Sequence, residues 1–496
     1  MSNASSIVSQ AATVIALGAM LAAPAFASAG QTPGATVRVA GDRLELAIAL
    51  DGATPVEWRA CHPSCASADA GAGTSVRLVA VGDPTPIRLV VSDLDPPVDL
   101  EGLRFSSSLT EDERARIATF QGDLSVPGVR LVKSFEISRD GYEVVMTARM
   151  VGPDAGAFMS GRRLTLELAA GAGLMPRAAG FTAMLERMSR VIVTRRVRVI
   201  RDDSREPTRL RAGDWMGFRS RFWTLLTRSD GAGDFAPEPG AGAPLGLTDE
   251  PGRLSWRYTF YGGPLENGSL TRADPRLGRL VFSGLWFWLR PLTFGVQYLL
   301  RGLTGLIGHP GAAIIALAVS VEILLSPLTV IAEWLRERVS RIRSRRQPGA
   351  DAMQAAYRGA EGAGLAGFVI QLPVLVAVFA MLAESFTLQN ASFLWIRDLS
   401  RPDALARLPV CVPFLGCDLN VLPFLMSGVS LAILLRVDSG MLTPSLVRRA
   451  RRKQMAVTAL FFLVFYTFPA GMVLYWTSIS AFRLLSQEAG RLWRRA

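Results

Sequence analysis

Residues 311–334 read GAAIIALAVSVEILLSPLTVIAEW. As a helix this run is long enough to cross a hydrocarbon core of about 30 Å, which takes about 20 apolar residues. Its interior nevertheless holds a carboxylate, Glu322. Glu322, Ser326, Thr329 and Glu333 fall at i, i+4, i+7 and i+11, so a helix lines them up on one face. An ionised carboxylate at mid-bilayer costs several kcal/mol, so this stripe must face protein or water. Glu322 is then either a functional group or a neutral acid bonded to a neighbouring helix.

With this first run taken as 312–333, four further apolar runs follow at about 364–385, 420–436, 455–468 and 470–484. The segment after the first run holds Arg336, Arg338, Arg341 and Arg343, followed by Arg345 and Arg346. The third run leads into Arg448, Arg449, Arg451, Arg452 and Lys453. The segment between the second and third runs is balanced, with Arg397, Asp398, Asp403 and Asp418. By the bias of Lys and Arg toward the cytoplasm, the basic segments are cytoplasmic contacts and the balanced one is external. Arg483 and Arg491 follow the last run, so both ends of Met455–Phe482 are cytoplasmic and the chain turns back at Pro469. Each half is then about 14 residues, about 21 Å of helix, short for a span.

Polar groups that can oppose Glu322 are Gln371, Ser427, Ser430, Tyr466, Tyr475, Thr477 and Ser478. Hydroxyls and one amide make a wet groove, and no second carboxylate, histidine or lysine lies deep in the runs. A transporter with a proton relay is therefore disfavoured.

Upstream, GLWFWLRPLTFGVQYLLRGL at 284–303 mixes Trp, Phe and Arg in the manner of a helix lying in the interface. From 30 to 274 there is no span. RLELAIAL from Arg43, SVRLVAV from Ser75, YEVVMTARM from Tyr142, RLTLELA from Arg163 and RVIVTRRVRVI from Arg190 alternate with period two and predict an exported β-rich domain of sandwich type. SLTEDERARIATFQ from Ser108 predicts a short surface helix capped by Thr110. GDWMGFRSRFWTLL from Gly213 fits core packing, with a membrane-touching or groove-binding strip as the alternative. Residues 1–27 combine a short apolar run with Ala25 and Ala27 in a small-x-small pattern. They read as a signal cleaved after Ala27, although an uncleaved anchor would export the same domain.

The formal charge of +12 gathers beside apolar runs and not in a patch with stacking aromatics, which argues against nucleic-acid binding. Cys61 with Cys65 and Cys411 with Cys417 are two close pairs on the exported side, where disulfides are permitted. Cys61, His62 and Cys65 lack a usual fourth metal ligand, so no metal and no cofactor is expected. No catalytic constellation is present in the exported domain, so no enzymatic activity is expected.

The order of an exported β domain with GDWMGF and TFYGGP, then GLWFWLRPL, SPLT, QLPVLVAVFAML, LWIRDLS and FPAGMVLYW, resembles the YidC membrane-protein insertases, relatives of the mitochondrial and chloroplast insertases. The resemblance implies a core of five spans over 304–496 around a polar groove, and an exported β-supersandwich. It implies nascent membrane proteins as clients, lipid as their destination, and a ribosome and a Sec-type translocon as partners. The setting is a bacterial inner membrane with a periplasmic domain and a cytoplasmic C-terminus. Three features depart from it. Glu322 stands where most members carry an arginine, so the groove either favours basic or neutral client segments over acidic ones or works through hydration alone. The segment Leu335–Ala363 is short and broken by Pro348, Gly349, Gly359 and Gly362, where members carry a helical hairpin. The amino terminus looks cleavable. The competing reading is a non-inserting scaffold for envelope-protein assembly.

Overall fold

A computed structural model describes residues 35–344, 371–435 and 444–493, apart from 72, 84, 94–97, 113–114, 176–184, 241 and 413–414. The signal expected at 1–27, the start of the second apolar run and most of the segment 335–363 lie outside the described residues.

All five alternating segments form strands, and the last folds into a hairpin of Ser189–Val193 with Val197–Ile200. The last three lie in two large antiparallel sheets and the first two in a smaller one. The larger runs, in spatial order, through Val197–Ile200, Ser189–Val193, Trp215–Arg219, Trp223–Ser229, Ser255–Pro264, Glu143–Val151, Arg130–Ser138, Ala115–Asp123 and Ser106–Glu111. The second runs through Thr208–Leu210, Gly233–Pro237, Leu245–Asp249, Arg163–Leu168, Ile87–Ser92 and Val98–Asp99. Period-two alternation gives each sheet one apolar face. Val144, Met146, Ala148 and Met150 are buried with Leu164, Leu166 and Leu168 in one core. A smaller sheet of Thr36–Ala40, Leu44–Ala49, Pro55–His62 and Thr74–Val79 adds Trp58 to it.

The helix expected from Ser108 is instead a β-hairpin of Ser106–Glu111 with Ala115–Asp123. Ala115, Ala118, Phe120 and Gly122 are buried along the second strand, which pairs with Arg130–Ser138. Tertiary burial of that face overrides the helix preference of the charged residues between the strands.

Asp274 ties the domain's end to its core. It accepts hydrogen bonds from Trp215 Nε1 at 3.0 Å and Arg276 Nη2 at 2.7 Å, and pairs with Arg228 at 3.3 Å. Burial works to raise its carboxyl, but the Arg276 and Trp215 hydrogen bonds outweigh it and hold the group at about 2 against an ordinary 3.8. A depressed folded pKa means stability that is whole above the ordinary value and lost as pH falls through about 2. Tryptophan-monitored melting of the full chain is therefore expected to weaken between these values, and Asp274→Asn is expected to flatten that part of the pH profile.

After the domain, Trp286, Phe287 and Trp288 are all exposed, the two indoles stacked with centroids 6.1 Å apart. The interfacial segment is helical over α1, Arg290–Ile307, with Pro291 in its first turn. It begins later than 284 because Pro291 lacks an N–H and sits best where a helix starts. The remaining helices are α2, Pro310–Ser344; α3, Gln371–Glu384; α4, Leu422–Leu435; α5, Pro444–Phe465; and α6, Ala470–Trp493. Among the described residues, Pro310–Pro327 is long and apolar enough to cross a membrane, and α3 and most of α4 are shorter apolar helices. The last two runs are not limited to 14 residues: α5 has 22 and α6 has 24, because helix continues into the basic flanks. Arg448–Lys453 thus lie inside α5 and not in a loop.

Candidate functional site

Helix α2 packs against α1 and α6, and α4 packs against α5 and α6. Phe379 of α3 joins them through Phe465, Tyr475 and Trp476, with ring centroids 5.9–6.4 Å apart. One end of this bundle meets the β-rich domain. Arg221 is 4% exposed; its Nε donates to the carbonyl of Ala383 at 2.5 Å and its Nη1 to that of Ser400 at 2.8 Å. Burial pushes its guanidinium down to about 10, opposed by Glu186, Asp398 and Glu384. Beside it, Arg219 Nη2 lies 2.9 Å from Glu384 Oε1, and Glu384 Oε2 accepts from the Phe282 N–H at 3.1 Å. The rings of Trp223 and His62 meet Phe386 edge-on at 5.2 and 4.9 Å.

The stretch from Gly213 therefore does two things. Trp215, Met216 and Phe218 are core, while Arg219 and Arg221 reach the helix bundle. Sequence reasoning missed the second role. Its one visible signal is two arginines spaced i, i+2 between aromatic residues.

Distances down each helix can be counted from the end nearest the β-rich domain. Glu322 is 12 residues past Pro310, Arg483 is 13 past Ala470, and Gln371 is 13 before Glu384. At 1.5 Å per residue all three lie about 18–20 Å from that end, so three helices bring polar groups to one level. There Arg483 Nε and Nη2 donate to Glu322 Oε1 and Oε2 at 2.8 and 3.1 Å. The side chains are 47% and 17% exposed respectively. Two parallel bonds fix a planar, net-neutral pair. Arg483 had read as a flank beyond the last run; it is the partner of the carboxylate that the sequence left alone.

Tyr475, Thr477 and Ser478 of α6 lie nearer the domain, as do Ser427 and Ser430 of α4. Thr477, Ser478 and Ser430 each donate to the carbonyl four residues back, leaving lone pairs free to accept. Tyr466 is elsewhere: its hydroxyl donates to the Asp418 carbonyl and accepts from the Asn420 N–H, tying the segment before α4 to the end of α5. The side chains of Thr329, Glu333, Arg336, Arg341, Arg343 and Arg449 lie outside the described residues. Arg338, Arg448, Arg451, Arg452 and Lys453 are exposed. Both cysteine pairs, Cys61 with Cys65 and Cys411 with Cys417, are joined as disulfides.

Ser326 has a structural task. Pro327 sits inside α2 without an N–H, which would otherwise bond the carbonyl of Ile323. The Ser326 hydroxyl takes that carbonyl at 2.7 Å. Ser326→Ala is expected to cost about 1–2 kcal/mol by orphaning it. Ser326→Ala with Pro327→Ala is expected to recover most of that, since the N–H returns; thermal unfolding in detergent checks both.

Residues 302–490, which hold the ion pair, match the model of the family described as 60Kd inner membrane protein. Over this region the chain is similar to the YidC family. Relatives named membrane protein insertase YidC include one from Chlamydia muridarum, 27% identical over 54% of this chain and 37% of its own length. Another from Shewanella woodyi is 30% identical over 44% and 39%, and one from Pseudomonas paraeruginosa is 28% identical over 53% and 44%. The matched stretches thus span less than half of each relative. A solved active YidC insertase is similar at 14% identity with a TM-score of 0.35, covering 97% of this chain and 99% of that one. An α-mannosidase from Enterococcus faecalis reaches 0.33 over 50% and 31%.

Proposed function

We propose that the chain is a membrane protein insertase whose helices 304–496 form a five-span core in a bacterial inner membrane. Its exported domain stands in the periplasm and its C-terminus in the cytoplasm. The observation that carries this reading is the level of Gln371, Glu322 and Arg483, set about 18–20 Å down a bundle with otherwise apolar helices. Polar groups at such a depth must face protein or a water-filled groove. Ser427, Ser430, Tyr475, Thr477 and Ser478 continue the polar lining toward the domain, and Tyr466 closes the outer end.

Mechanistically, a short hydrophilic segment of a nascent chain enters the groove while its apolar segment passes into lipid beside it. The driving force is apolar partition, about 0.3–0.6 kcal/mol for each central Leu or Ile, summed over a span. The groove lowers the barrier for the polar part by replacing water with hydroxyl, amide and ion-pair contacts. Arg338, Arg448, Arg451, Arg452 and Lys453 offer a basic cytoplasmic surface to a ribosome. No nucleotide, metal or other cofactor enters the scheme.

The test is photo-crosslinking from Val321, beside the pair, and from Gln371 to stalled ribosome-bound chains of a single-span protein. Crosslinks at both positions are expected. The buried junction at Arg221, which fixes the exported domain to the bundle, favours one competing reading, a scaffold that assembles envelope proteins and inserts none. A scaffold gives no crosslinks to any nascent span while remaining folded in the membrane.

A further inference from the structure

Glu322 had suggested a groove that prefers basic or neutral segments. The structure supplies a different electrostatic situation, because Arg483 neutralises it through two bonds of 2.8 and 3.1 Å. We propose that the Glu322–Arg483 pair makes the groove select client segments by polarity and not by sign of charge, with uncharged hydrophilic tails as its best clients. This deepens the insertase reading and rests on it.

The argument follows from what each kind of tail must do at the pair. A client carboxylate gains most by taking Arg483 fully, which strips Glu322 of its partner. A client ammonium gains most by taking Glu322, which strips Arg483. In a low-dielectric setting the abandoned charge offsets the new contact, so neither sign gains much. An uncharged segment needs no exchange. Arg483 is half exposed and uses Nε and Nη2 for Glu322; among the described residues, its Nη1 bonds none. That group can donate to a serine, asparagine or backbone oxygen with the pair intact. Ser427 Oγ, buried and bonded to none of the described residues, and the acceptor lone pairs of Thr477 and Ser478 supply further uncharged contacts.

A lattice of tails and variants tests this in the full-length chain. Stalled single-span chains carry paired aspartates, paired lysines, or only serine and asparagine before the span. They are crosslinked from Val321 in the native protein, Glu322→Gln and Arg483→Gln. The native protein is expected to capture the uncharged tail best and the two charged tails within about threefold of each other. Glu322→Gln, which frees Arg483, is expected to favour the acidic tail over the basic one by about tenfold, and Arg483→Gln the reverse. Thermal unfolding of each variant in detergent reports its folding independently of any tail. Native discrimination beyond about tenfold between charged tails, or single variants that leave the acidic-to-basic ratio unchanged, overturns the inference while leaving the insertase reading intact. Absence of crosslinks for every tail in the native protein sinks that reading instead, and this inference with it.

Discussion

Arg221→Met is expected to lower the stability of the joined molecule by about 3–5 kcal/mol, because it orphans two buried carbonyls that now accept from a charged donor. The Ala383 and Ser400 carbonyls have Arg221 as their bridge, at 2.5 and 2.8 Å, and its guanidinium also stacks over Phe222 at 4.5 Å. Methionine fills much of the volume, so the loss is one of hydrogen bonding rather than of packing. Arg221→Lys retains the charge but cannot span both carbonyls, and about half the loss is expected. Thermal unfolding of the purified full chain, with protease cutting at the junction as a second readout, checks both variants. If both melt like the native protein, the junction is not held by this residue.

Glu322→Arg is the second large effect. It sets two guanidiniums against each other where α2 and α6 pack, about 18–20 Å from their ends nearest the β-rich domain. Loss of the pair and the new repulsion are expected to cost about 3 kcal/mol, about a hundredfold in insertion. The swap Glu322→Arg with Arg483→Glu restores an ion pair of the same size and is expected to recover most of the insertion. Protease protection of a single-span client, normalised to the amount of variant in the membrane, reads both. Failure of the swap to rescue would mean that the position of each charge matters, and not the pairing alone.

Local pattern made much of this architecture legible. Strands such as Glu143–Val151 announce themselves because one face is buried and the other is not, and period two survives in the residues. The run from Gly311 is legible for the opposite reason, since apolar residues cover nearly all of its faces. Legibility fails where a long-range contact decides. Ala115–Asp123 follows charged residues that suit a helix, yet its buried Phe120 and Ala118 join a sheet through partners found elsewhere in the chain. Arg483 follows an apolar run, and the charge-bias rule treats every such arginine as a flank. Only the packing of α6 on α2 shows that it lies level with Glu322, 161 residues away. Arg221 is hidden in the same manner, since nothing near it in sequence indicates the carbonyls of Ala383 and Ser400.

The helix ends repeat the point. Apolar runs end where charged residues begin, but helices do not, because the backbone hydrogen bonds of α5 and α6 are as well made in a polar setting as in an apolar one. Charged turns of α5 therefore precede its apolar part, and α6 runs on to Trp493.

The most direct measurement is insertion by the purified full chain alone, reconstituted in phospholipid vesicles and given a single-span client with an uncharged hydrophilic tail. Protease protection of that tail, well above the level of empty vesicles and reduced by Glu322→Arg, is the result predicted. Protection no greater than with empty vesicles, with the chain folded and correctly oriented, would contradict the insertase account and leave the scaffold in its place.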